Sequence, residues 1–138
     1  AQIDLGGNYM NTYLIISGFF GLLTVMGHFI VGQKQFLSPM LGANIESVAK
    51  NVMHSVFHYV SVFLVLSTVA LLVSGFGLLR TESAEILCSF IGVNYLLFAV
   101  WQISIALKSG LDKPLLKLFQ WVFFVLISGF ALAGSLAL

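Results

Sequence analysis

Charge is what this chain has least of. Of 138 residues, six are Lys or Arg and five are Asp or Glu, so 8% of the chain is charged and the net charge is +1. A soluble domain carries about 25% charged residues, and this surface cannot be clothed for water. The near-zero net charge excludes a nucleic-acid module, and two prolines in an apolar chain exclude an extended disordered one. A single cysteine, Cys88, excludes a disulfide scaffold and any thiol–disulfide exchange that needs a cysteine pair. The acids also avoid the apolar runs. A cation-coupled transporter would carry a carboxylate within a span, and a serine hydrolase built on Ser47 or Ser61 would need an acid to complete its set.

What is abundant is apolar length. The apolar set makes up 59% of the chain, with a mean hydropathy of +1.05. Four runs, roughly 12–32, 51–79, 85–107 and 115–138, each reach the ~20 residues that cross a hydrocarbon core as helix. They are continuous rather than alternating, which excludes the hairpins of a β-barrel. The connectors are too short to hold a soluble domain of their own.

Chemical marks set the expected ends. Gln33-Lys34-Gln35 closes the first run, and Asn44 or Ser47 can cap the second helix. Arg80 stops helix two, Thr81 is a candidate cap, and Glu82 and Glu85 suit the positive end of helix three. Gly110 ends helix three, and Asp112 with Pro114 opens helix four. The predicted helices are 12–32, 47–79, 84–108 and 113–138, one transmembrane domain over 1–138.

The fold expected is all-α: an integral membrane antiparallel four-helix bundle, up-down-up-down, with four transmembrane helices. Stripes of small or weakly polar residues mark the contact faces, because helices in lipid associate through close packing and hydrogen bonds. They are Ser17, Gly21, Thr24 and His28 in helix one, and Ser47, Asn51, His54, His58, Ser61, Val65, Thr68, Leu72 and Gly75 in helix two. Helix three carries Cys88, Gly92, Tyr95, Ala99, Gln102 and Ala106, and helix four Lys117, Gln120, Phe124, Ile127, Ala131 and Gly134. Steps alternating between three and four residues give the seam of a left-handed bundle. Phe19, Phe20, Phe63, Phe123 and Phe130 fall off the stripes and are expected to face lipid or a partner.

Lys34, Lys50, Lys108, Lys113 and Lys117 collect on one side and only Arg80 on the other, so the lysine-rich loops are cytoplasmic and both termini are not. Trp101 and Trp121 anchor that interface. Asp4, rather than a basic stretch, precedes the first run, which reads as a retained span and not a cleaved leader. The segment 36–41 is apolar for a connector and is expected to rest on the interface.

All three histidines lie in the lysine-rich half. His54 and His58 share a helix face, His28 enters at similar depth, and Asn51, Gln102 and Gln120 complete a polar layer. Two imidazoles on neighbouring helices could ligate a haem, and His28, His54 and His58 together could hold a divalent metal such as Zn or Cu. The plainer role is hydrogen bonding that holds the helices together. Asn94, near mid-span and off its stripe, suits contact with a partner helix. The function expected is that of a small polytopic membrane protein acting as a non-catalytic accessory or scaffold subunit, in contact with the bilayer, with partner membrane subunits or with copies of itself. Haem or metal binding is the alternative.

Overall fold

The computed structural model describes residues 9–138, and Asp4 lies outside them. Every regular element among the described residues is helical. A first rod runs unbroken from Thr12 to Gly42. It comprises α1 (Thr12–Gly27), a π-helical stretch (His28–Leu37) and the short α2 (Ser38–Gly42). Then follow α3 (Ser47–Gly75), α4 (Thr81–Lys108), the single turn α5 (Pro114–Lys117) and α6 (Gln120–Leu136).

The ends differ from the sequence reading for definite reasons. Helix one does not stop at 32. Gln33, Lys34 and Gln35 are exposed on a helix that winds wider, where the Ser38 N–H reaches back five residues to the Gln33 carbonyl. The polarity of these residues looks like a loop, but only their outward face is wet. Toward the end of the rod Leu37 and Met40 bury against Phe57 in a small cluster. The second long helix ends at Gly75 rather than 79. Gly77, at φ 70°, takes the left-handed turn, with its N–H on Ser74 O and the Leu78 N–H on Val73 O, the paired bonds of a Schellman stop.

Helix three begins at Thr81, with Arg80 and not Thr81 in the cap position. Helix four is broken, since Lys113 (φ 51°) and Pro114 open only α5 before the chain restarts at Gln120. Glu46, rather than Asn44 or Ser47, caps α3, its carboxylate accepting the Ala49 N–H at 2.9 Å. The N–H groups of Val48 and Ala49 hold this carboxyl below the ordinary carboxylate range. A group whose folded value is depressed stabilises above its unfolded value and loses that contribution as pH falls through the folded one. Acidification through that window is therefore expected to fray the first turn of α3 in the native protein, and Glu46→Gln to abolish the transition; amide exchange at residues 48–50 reports both.

Contacts between elements run in opposite index order, so neighbouring helices are antiparallel. On α1 and α3, Gly18 lies against Leu72, Gly21 against Thr68 and Gly75 against Ile15; on α1 and α6, Gly134 lies against Leu14, and on α4 and α6, Gly92 against Leu132. These glycines let the helices approach until a Cβ would overlap the neighbour. The α3–α4 side is wider, and large rings fill it. Phe63, Tyr95, Phe98 and Phe124 pack with centroids 5.4–5.8 Å apart, and the Tyr95 hydroxyl meets Ser67 Oγ at 2.9 Å. Phe63 is therefore an interior residue, because three tight seams leave the fourth open. Phe20 is half-buried and stacked on Phe130, whereas Phe19 is exposed.

Most of the expected stripe is inside: Ser17, Gly21, Ser61, Thr68, Gly75, Cys88, Gly92, Tyr95, Ala99, Ala106, Ile127, Ala131 and Gly134 are all buried. The stripe on α3 drifts below Ser61, where Phe57 and Leu64 turn inward while His58 and Val65 are exposed.

Candidate functional site

The two ends of the bundle are built differently. At the end holding the start of α1, Asn11 ties three helices. Its side-chain oxygen accepts the Leu14 N–H at 3.1 Å as the α1 cap, its amide nitrogen donates to Gly134 O at 2.9 Å, and its backbone N–H donates to Gly75 O at 2.8 Å. One turn further in, the Ser17 hydroxyl donates to Ile127 O at 2.8 Å. Asn11 and Ser17 are buried, so these interhelical bonds lie inside the bundle, beside a cavity of about 570 Å³ that Asn11, Ser74, Arg80 and Ala137 help to line. An Asn directly before an apolar run is an N-cap signal; sequence reasoning passed over Asn11 and its interhelical roles.

The opposite half holds the histidines, and their ring contacts differ. His28, at the junction of α1 with the π-helical stretch, stacks on Phe57 with centroids 4.1 Å apart, and its Nε2 lies 2.9 Å from Ser61 Oγ. With the Ser61 proton assigned to Phe57 O of its own helix, 2.9 Å away, the Ser61 oxygen is the acceptor and His28 Nε2 is assigned the proton. His54 and His58 pair with each other on α3, with centroids 5.0 Å apart. The exposed amide of Asn51 bonds back to Ser47 O, and Gln102 meets Gln120 at a long 3.4 Å. The polar layer is thus three local pairings and one back-bonded amide.

A cavity of about 320 Å³ adjoins His28, with walls from Leu23, Thr24, Val60, Leu64, Phe119, Gln120, Phe123 and Phe124. Neither His54 nor His58 lines it. A dry cavity of about 150 Å³ accepts benzene; this one has room for a substituted or fused ring, not for a tetrapyrrole. Among the described residues, no three His, Cys, Asp or Glu side chains group closely enough to hold a metal ion. These residues do not fit a haem spanning His28 and the α3 pair, and no chemistry is assigned to one. Phe57, which positions His28, and Ser61, which fixes its tautomer, are the site residues with the clearest roles; Ser61 lay on the expected stripe, whereas Phe57 resembled any other apolar residue.

The chain is a small all-helical protein with three helices long and apolar enough to cross a membrane and a shorter apolar fourth, Gln120–Leu136. No family model, no curated protein and no solved structure matches it.

Proposed function

We propose that the chain is a single integral membrane domain whose four antiparallel helices all span the bilayer, and that it serves as a non-catalytic accessory or scaffold subunit docking against partner spans. The apolar outer surface supports the membrane reading. Only 22–33% of the most apolar window of each long helix is buried inside the protein, and outward residues such as Leu66, Ile86, Phe90 and Leu97 are more than half exposed. Such a surface is stable against lipid and aggregates in water. The 29 residues of α3 and 28 of α4 extend about 44 and 42 Å at 1.5 Å per residue, enough to cross and emerge. Lys34, Lys50, Lys108, Lys113 and Lys117 lie in helix ends and turns toward one end of the antiparallel arrangement and Arg80 toward the other, which favours a cytoplasmic lysine-rich end and both termini outside.

Asn94 carries the accessory reading. It sits near the middle of α4, half-buried, beside exposed Phe90 and Leu97. Its Nδ2 donates back to Phe90 O at 2.8 Å, and among the described residues that is its one hydrogen bond. An amide oxygen facing hydrocarbon is costly, and a hydrogen bond across to another helix removes the cost. A photo-crosslinker at Leu97 in native membranes is expected to give one discrete protein adduct, lost in Asn94→Leu. Lipid adducts alone, unchanged by Asn94→Leu, would contradict docking through this face.

A further inference from the structure

We propose that the cavity beside His28 binds a small, membrane-soluble ring compound bearing a hydroxyl group, of the phenol or hydroquinone class, whose O–H donates to His28 Nδ1.

The walls are chiefly apolar, with Val60, Leu64, Phe123 and Phe124 facing a few polar groups, the composition of a small-molecule site. Volume sets the size, since about 320 Å³ suits one substituted ring or two fused rings. Hydrogen bonding sets the chemistry. With the Ser61 proton assigned to Phe57 O, His28 Nε2–H is the donor in the His28–Ser61 bond and, in the neutral ring, Nδ1 is the acceptor. Nδ1 faces the Gly32 wall, where a Cβ would stand 3.7 Å from it. A carbonyl-only ligand would offer this nitrogen nothing; a phenolic hydroxyl offers a proton. Gln120, exposed at the edge of the cavity, accepts from Gln102 through its Oε1 at 3.4 Å, which leaves its amide N–H groups free to donate to a ligand's oxygen. The π-helical winding starts at His28, and π-turns within helices are frequent at functional sites. This site goes beyond the scaffold role, and its test does not depend on Asn94 or on a docked partner.

The test uses the full chain in nanodiscs, with 1-naphthol and its methyl ether 1-methoxynaphthalene as probes and empty nanodiscs as the partition control. Saturable one-to-one binding of 1-naphthol is expected, about tenfold tighter than that of the ether, equivalent to about 1.4 kcal/mol. His28→Phe keeps a flat ring against Phe57 and is expected to erase the preference for the hydroxyl. Gly27→Leu, which adds a side chain to the cavity wall at a position where a Cβ meets no atom within 4 Å, is expected to abolish binding of both probes. Equal affinity for the two probes, uptake no greater than by empty nanodiscs, or a hydroxyl preference that survives His28→Phe would each overturn the proposal, as would unchanged binding in Gly27→Leu.

Discussion

Gly75→Ala is expected to be the most damaging single methyl that can be added to this protein. A Cβ at residue 75 would stand 2.8 Å from Ile15 N and 3.1 Å from Leu14 C, both backbone atoms of α1, so no rotamer change can make room. The two helices must separate where the Gly75 carbonyl accepts from Asn11 N. Overpacking costs about 1–3 kcal/mol where side chains can yield and more where they cannot, so a loss of about 3 kcal/mol is expected, read from unfolding of the micellar protein by a denaturing detergent. Gly18→Ala is the useful comparison. There the closest atoms are Leu72 Cδ2 and Cγ, at 2.5 and 2.6 Å, on a side chain that can rotate, and the cost is expected to be smaller. Gly27→Ala meets no atom within 4 Å and is expected to be neutral or to stabilise by up to about 1 kcal/mol through helix propensity.

Asn11→Ala should rank next. Losing the cap costs about 1 kcal/mol, and the Gly134 carbonyl, which keeps the Ala137 N–H as a donor, loses one of two hydrogen bonds at a cost of about 0.5–1.5 kcal/mol more. A total of about 2 kcal/mol is expected in the same assay. Asn11→Ser keeps a cap acceptor for the Leu14 N–H but does not reach Gly134 O, so it is expected to recover about the cap contribution and no more. If Asn11→Ala and Asn11→Ser prove equal to the native protein, the three-helix tie is not a source of stability.

The two substitutions act on features of unequal visibility in the sequence. Gly75 stood on a stripe of small residues at helical spacing, and that spacing follows from close backbone approach. Asn11 carried a local cap signal, but its bonds to Gly75 and Gly134 join positions far apart in the chain, and no local pattern reports a long-range pair. The rings of Phe63, Phe98 and Phe124 show a related limit. Phe63 looks like a lipid-facing residue and Phe124 stands on the contact stripe; all three are half-buried together because three glycine seams leave the α3–α4 side open. The first rod was shortened at 32 because Gln33–Gln35 are polar, when a wider helical winding simply turns them outward.

The candidate site divides in the same way. His28 and Ser61 lay on facing stripes, and the structure joins them at 2.9 Å. His54 and His58 were expected to share His28's site because they share its depth. His28 lines the cavity and neither His54 nor His58 does, His58 being exposed on α3.

The shortest of the four proposed spans offers the most direct test of the four-span account. The 17 residues of α6 extend about 26 Å, slightly less than a hydrocarbon core of about 30 Å, so α6 crosses only with help from its flanks. Single cysteines at positions 34, 81, 113 and 138, in a Cys88→Ala background, can be labelled in intact cells and in inverted vesicles with a membrane-impermeant maleimide. The account predicts that 34 and 113 label together from the cytoplasmic face and 81 and 138 together from the other. Labelling of 113 and 138 from the same face would contradict it, leaving a three-span protein with α6 lying outside the bilayer core.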